Sequence, residues 1–265
     1  MNDSFDDPLP PTNDDNERLI RVPADDAVSP ESTEQLAEPA FQKSLLSYLT
    51  LFFLLVFMPT SSLLLVGDPT ETLSLLAQSP IYFIYLPTML TWWGAFLLIY
   101  LTVYREKTGL AGIGFRRLRL LDFFWAFAFL LVSNLLLSLL ALLLAQIGLE
   151  IPGELGLILP KTNPERIVWV LLSFTAGFCE EASFRGYLLT RIKIFGNTRG
   201  WLLPVIISSL AFGSGHAYQG WGGFILLSIY GAMFALLFLR TGSLWAPIIA
   251  HFFQDFSALF FPFQR

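Results

Sequence analysis

The side chains with the clearest chemical potential are ionisable groups that lie inside long apolar stretches of the C-terminal half. An ionised side chain at the centre of a bilayer costs about 2.5 to 3.5 kcal/mol even on the lenient insertion scale. A chain that keeps several such groups there needs them for function or for a specific structure. They are Glu180, Glu181, Arg185, Asp255 and the chain's two histidines, His216 and His251.

The segment FCEEASFRG places two adjacent glutamates before an arginine. Glu181 and Arg185 are four residues apart, so on a helix they share one face and can form an ion pair. Glu180 points about 100° away from that face. We therefore expect Glu181 and Arg185 to be a supporting pair, with Arg185 also a candidate for contact with substrate. Glu180 stays free for chemistry.

Each histidine also has a neighbour at helical spacing. The segment FGSGH places Phe212 one turn before His216, so the phenyl ring can pack along the imidazole as a supporting residue. The segment HFFQD places His251 and Asp255 four residues apart on one face. We expect both polar stripes to face the interior of a helix bundle or a wet cavity.

This set of residues is suited to hydrolysis by an activated water molecule. A glutamate and a histidine that converge on water can remove its proton, while further donors stabilise the oxyanion formed as hydroxide attacks a carbonyl. We assign Glu180 as the general base and His216 as its partner in positioning and deprotonating the water. His251 and Asp255 are the candidates for the oxyanion pocket.

A metal-dependent version of the site is equally compatible with the residue types. Two histidines and a carboxylate with an open position make a hydrolytic zinc site. His216 and His251 would then be ligands together with Glu180 or Asp255. The sequence leaves a metal-free site and a Zn²⁺ site both open.

Other hydrolytic mechanisms fit less well. The chain has no H-E-x-x-H motif and no G-x-G-D motif with a second intramembrane aspartate. A serine dyad of Ser214 and His251 would leave the two glutamates and Arg185 without a role. The single cysteine, Cys179, is expected to be a small buried thiol rather than a nucleophile.

The elements that must position these residues are apolar helices. With 54% hydrophobic and 14% charged residues and a mean hydropathy of +0.60, the chain has too little polar surface for a soluble globule of its length. Spanning helices need about 20 mostly apolar residues. We predict an all-α, polytopic transmembrane bundle of about seven helices, with eight as the alternative. The predicted spans are Ser44–Val66, Ser79–Tyr104, Leu121–Leu149, Ile167–Thr190, Gly200–Tyr218, Trp221–Arg240 and Ser243–Phe261.

Three regions follow from composition. Residues 1–42 contain 11 of the 21 acidic residues and few apolar ones, so we expect a disordered acidic tail. Residues 43–150 hold the first three helices, and residues 151–265 hold the candidate catalytic core. Lys and Arg, with Arg191 among them, concentrate in alternate loops, which places the N-terminus in the cytoplasm.

Together, the three motifs resemble those of the CAAX protease and bacteriocin-processing family, also called Abi or type II CAAX prenyl endopeptidase-like intramembrane proteases. The similarity covers E-E-x-x-x-R, F-x-x-x-H and H-x-x-x-[N/D], in that order, from about Ile167 to Phe261. It implies an all-helical endopeptidase whose catalytic glutamate is Glu180 and whose histidines are His216 and His251. The last motif often ends in Asn in this family, whereas here it ends in Asp255, which can donate a hydrogen bond only when protonated.

We therefore expect an integral membrane endopeptidase of the plasma membrane or another cellular membrane. Its partners would be membrane lipid and a membrane-associated or lipid-anchored peptide or protein, with no nucleic acid, while the sequence leaves its oligomeric state open. The alternative from another class is a non-catalytic immunity or scaffold protein that retains the protease fold. A proton-coupled carrier is a more distant third possibility.

Overall fold

The structure is a computed structural model that describes residues 42–64, 74–150 and 153–260. The acidic tail, which is predicted to be disordered, lies outside these residues except for its last residue, Gln42. Within them the chain is all-helical and contains no strand. The predicted fold class is therefore confirmed for the described part of the chain.

Each of the seven predicted segments contains a helix, although two of them are shorter than expected. By length and composition, five helical segments can cross a membrane, and α5 and α7 are not among them. At 1.5 Å per residue, the 13 residues of α5 extend about 20 Å, whereas the hydrocarbon core is about 30 Å thick. The helices are α1 (Leu45–Leu63), α2 (Ile81–Arg105), α3 (Leu120–Gln146), α4 (Asn163–Phe195), α5 (Leu202–Ser214), α6 (Gly220–Thr241) and α7 (Trp245–Phe256).

Helix α3 shows most directly that the protein is built for a membrane. Only 11% of its apolar window is buried inside the protein. Large side chains such as Leu131 and Leu135 are more than 70% exposed. A contiguous apolar surface of this kind is unfavourable in water and fits lipid. The protein is therefore an integral membrane protein.

Helix α4 carries the glutamates and is the longest helix of the described residues, at 33 residues. It begins with a capping box. The Thr162 hydroxyl accepts a hydrogen bond from the Glu165 backbone N–H, and the Glu165 carboxylate accepts one from the Thr162 backbone N–H. Pro164 occupies the first turn, where a missing N–H does no harm. These local signals fix where the helix starts.

A π-helical segment, Ala182–Leu188, interrupts α4 directly after the two glutamates. Short π segments inside α-helices are frequent at functional sites. Every residue of this segment is buried. The Ser208 hydroxyl of α5 donates to the Phe184 carbonyl at 2.9 Å, which helps to satisfy the altered backbone pattern.

Two glycines let helices approach closely around the site. A Cβ at Gly177 of α4 would lie 2.8 Å from the Phe252 nitrogen of α7. A Cβ at Gly213 of α5 would lie 2.8 Å from the Phe224 carbonyl oxygen of α6. Both crossings require a residue without a side chain, as is common between membrane helices.

We predict that Gly213→Ala lowers the stability of the folded bundle by about 1 to 3 kcal/mol, because the new methyl group overpacks the crossing of α5 and α6. The matched control is Gly94→Ala in α2, where an added Cβ meets nothing within 4 Å. Thermal unfolding of both variants in detergent measures the difference. Equal melting temperatures for the two variants would contradict the close crossing.

Candidate active site

The predicted ion pair between Glu181 and Arg185 is present on α4. The Arg185 Nη1 atom lies 2.8 Å from Glu181 Oε1, and both side chains are almost fully buried. Nη2 of the same guanidinium donates to the Gly231 carbonyl of α6 at 3.3 Å. The guanidinium also lies over the rings of Phe212, at 4.3 Å, and Phe234, at 4.9 Å. Arg185 therefore connects α4 to α5 and α6 by charge, hydrogen bonding and cation–π contacts.

His251 of α7 joins the same carboxylate. Its Nδ1 lies 2.8 Å from Glu181 Oε1, the oxygen that also accepts from Arg185. Its Nε2 lies 3.6 Å from Asp255 Oδ2. The Trp169 indole of α4 donates to the backbone carbonyl of Asp255 at 2.9 Å. His251 and Asp255 thus lie together, as predicted, and hold α7 against α4.

Glu180 lies apart from this pairing and faces a cavity of about 460 Å³. Its side chain is only 6% exposed, and its Oε2 atom has no hydrogen-bond partner among the described residues. A buried carboxylate oxygen without a partner is costly, so it needs an explanation such as a catalytic role or a bound water molecule. The two adjacent glutamates have different environments, in agreement with their 100° separation on the helix.

His216 lines the same cavity. The sequence places it within the fifth span, whereas in the structure α5 ends at Ser214 and His216 precedes a 3-10 turn, Ala217–Gln219. Its Nδ1 lies 2.9 Å from the Phe212 carbonyl. A carbonyl only accepts, so Nδ1 carries the proton and Nε2 of the neutral ring is the acceptor. The predicted ring contact is present, with Phe212 and His216 centroids 4.9 Å apart.

The cavity combines a polar end with a largely apolar wall. Glu180, His216 and Tyr218 supply its most reactive side chains. Neither His251 nor Asp255 is among the residues that line it. The wall comes mainly from α1, α2 and the residues beside them: Met58, Ser61, Ser62, Leu76, Phe83, Ile84, Pro87, Thr88, Thr91 and Trp92.

The rival nucleophiles occupy other environments. The Ser214 hydroxyl donates to the Leu210 carbonyl at 2.7 Å, while the ring nitrogens of His251 face Glu181 and Asp255. A serine dyad is therefore not assembled here. Cys179 is fully buried, as expected for a packed thiol.

The metal-dependent alternative would use His216, His251 and Glu180 as ligands. The described residues contain no group of three or more His, Cys, Asp or Glu side chains that could hold a metal ion. The Nδ1 atoms of both histidines have protein partners, and Nε2 of His251 lies 3.6 Å from Asp255 Oδ2. The arrangement therefore does not fit a three-ligand zinc site.

A second buried ion pair, on the same helix, was not predicted from the sequence. Arg191 donates to Glu106 Oε2 through Nε at 2.8 Å and Nη2 at 2.7 Å, and both side chains are fully buried. The Tyr187 hydroxyl donates to Glu106 Oε1 at 3.1 Å. Arg191 is thus not one of the exposed loop charges among which the sequence places it. The four-residue spacing of Tyr187 and Arg191 is the one available sequence signal.

We predict that Arg185→Met destabilises the protein by about 3 to 5 kcal/mol, because it leaves the Glu181 carboxylate buried beside His251 alone. Arg119→Met is the control, since Arg119 is 53% exposed and its pair with the buried Asp122 spans 3.6 Å; about 1 kcal/mol is expected there. Denaturant unfolding in detergent compares the two variants. Equal effects would mean that the fully buried pair contributes no more than one with an exposed arginine.

Comparison with known proteins gives one match. Residues 162–257 match the family model described as Type II CAAX prenyl endopeptidase Rce1-like. No curated protein and no solved structure matches the chain. The matched range contains all three motifs and begins at Thr162, the N-cap of α4. Residues 162–257 of this membrane protein are therefore similar to the type II CAAX prenyl endopeptidase Rce1-like family.

Proposed function

We propose that this protein is an intramembrane endopeptidase that hydrolyses a peptide bond in a membrane-associated or lipid-anchored peptide, using a water molecule activated by Glu180 and His216. One observation carries the proposal. Glu180, with an unpartnered carboxylate oxygen, and His216, with its Nδ1 already bonded, line the same cavity. The family match supports a proteolytic role in general terms.

The proposed chemistry uses the two free acceptors together. A water molecule in the cavity donates one hydrogen to the Glu180 carboxylate and the other to His216 Nε2. A lone pair of the water oxygen is then directed at a substrate carbonyl. Glu180 takes the proton as the oxygen attacks, and it returns that proton to the leaving amine.

The network around Glu181 supports this role indirectly. Because Arg185 and His251 both bind Glu181 Oε1, the neighbouring guanidinium is occupied and does not form an ion pair with Glu180. Glu180 therefore remains free to accept a proton. The positions of His251 and Asp255 fit a structural role beside Glu181, and their proposed oxyanion role stays a prediction.

The cavity wall fits the proposed class of substrate. Its residues from α1 and α2 are mostly apolar or aromatic, including Met58, Phe83 and Trp92. A lipid-anchored or membrane-inserted peptide presents apolar groups beside its scissile bond. Burial of those groups against this wall would contribute roughly 25 cal/mol for each Å² removed from water or headgroup contact.

We predict that Glu180→Gln abolishes cleavage of a membrane-inserted reporter peptide, because the amide cannot accept the proton of water. The variant should fold and insert normally, since Gln has nearly the same shape. Rates in proteoliposomes measure the effect. Glu165→Gln is the control, because Gln also serves in a capping box and Glu165 is a capping residue of α4. Cleavage by Glu180→Gln at the wild-type rate would refute the assignment and favour a non-catalytic immunity or scaffold role.

We also predict that cleavage survives removal of divalent metal. The described residues offer no three-ligand group, so prolonged dialysis against a strong chelator should leave the rate within about twofold of its starting value. Metal content measured alongside the rate completes the experiment. Loss of activity that Zn²⁺ restores would contradict the proposed metal-free mechanism.

A further inference from the structure

Tyr218 is a cavity residue that none of the three sequence motifs includes. It lies two residues after His216, in the 3-10 turn that leads into α6. Its ring is 6.1 Å from the imidazole of His216. It also lines the cavity together with Glu180 and His216. The turn that follows α5 therefore places the Tyr218 phenol at the cavity that His216 also lines.

The hydroxyl of Tyr218 is arranged as a donor. Its oxygen accepts a hydrogen bond from Gln219 Nε2 at 3.2 Å. A phenol has one O–H proton to donate, and that proton has no acceptor among the described residues. The Gln219 bond fixes the oxygen while leaving the proton available to a ligand in the cavity.

The proposed reaction needs such a donor. As hydroxide attacks the carbonyl, negative charge develops on the carbonyl oxygen, and hydrogen bonds aimed at that position are a large source of catalysis. The donors expected from the sequence, His251 and Asp255, do not line the cavity. They face Glu181 and each other. A donor that lines the cavity itself would therefore be well placed for this role.

We propose that Tyr218 is a further catalytic residue, whose hydroxyl donates a hydrogen bond to the oxyanion of the tetrahedral intermediate. This inference rests on the proposed endopeptidase function. The carbonyl π electron pair moves to oxygen as the new C–O bond forms, and it returns as the C–N bond breaks. The amine leaves with the proton held by Glu180. Tyr218 keeps its own proton throughout.

The substitution Tyr218→Phe separates this role from packing, because it removes the hydroxyl and retains the ring beside His216. We expect kcat to fall about 100-fold, in line with the loss of one oxyanion donor, while KM changes less than threefold. Tyr230→Phe is the matched control. Tyr230 is a buried tyrosine of α6 that contacts Gln254 at 3.4 Å and does not line the cavity. It should keep wild-type kcat.

A second pair of variants tests the donor without altering Tyr218. In Gln219→Glu the carboxylate can accept the phenol proton and turn it away from the cavity, so kcat should fall at least tenfold. Gln219→Met removes the bond that holds the phenol oxygen but offers no acceptor of that strength, so kcat should fall less than in Gln219→Glu, by about threefold. Equal rates for these two variants, or an unchanged kcat for Tyr218→Phe, would overturn the role of Tyr218.

Glu180→Gln, measured in the same assay, distinguishes a failure of the Tyr218 role from a failure of the proposed endopeptidase function. If Glu180→Gln is inactive and Tyr218→Phe is fully active, the endopeptidase function stands and the Tyr218 inference is wrong. If Glu180→Gln also cleaves normally, the proposed function fails and the role of Tyr218 fails with it. A fall in kcat for both, with Tyr230→Phe unaffected, supports both.

Discussion

The buried carboxylate oxygen Glu181 Oε1 is the point on which the site depends. It accepts from Arg185 at 2.8 Å and lies 2.8 Å from His251 Nδ1. Inside a bilayer an ionised side chain is costly unless it is paired or faces a hydrated cavity. The pairing joins α4 to α7, and Arg185 extends it to α6 through the Gly231 carbonyl and to α5 through the ring of Phe212. One ion pair thereby fixes the relative positions of four helices.

The reactive groups are those that this network leaves out. Glu180 precedes Glu181 but faces the cavity, and the early end of α5 places His216 in a turn rather than in a helix. The Nδ1–H of His216 donates to the Phe212 carbonyl, which orients the ring. The paired network around Glu181 holds the helices in place. Glu180 and His216 keep free acceptors, and a hydrolytic site needs such reactive groups held by a rigid surrounding. The buried pair of Arg191 and Glu106 does the same structural work between α4 and the end of α2, without a reactive neighbour.

Local spacing predicted the parts of the site that lie on one helix. The pairing of Glu181 with Arg185 follows from four-residue spacing, as does the proximity of His251 to Asp255. Seven apolar segments predicted seven helices, and hydropathy alone could not show that α5 stops after 13 residues. The helix ends at Ser214, between Gly213 and Gly215, and glycine has a low helix propensity. From the sequence, Arg191 is predicted to be a loop charge. Composition cannot show that Arg191 pairs with Glu106, which directly follows α2.

The sequence by itself determined that the protein is helical, that it belongs in a membrane and that its intramembrane ionisable residues face the bundle interior or a cavity, since isolated charges in lipid are costly. It also separated Glu180 from Glu181, because adjacent helical residues point in different directions. Only the tertiary structure decided which partners meet across helices. Contacts such as His251 with Glu181, 70 residues apart, and the convergence of Glu180, His216 and Tyr218 on one cavity depend on how helices cross. Side-chain packing sets those crossings, and no local pattern records them.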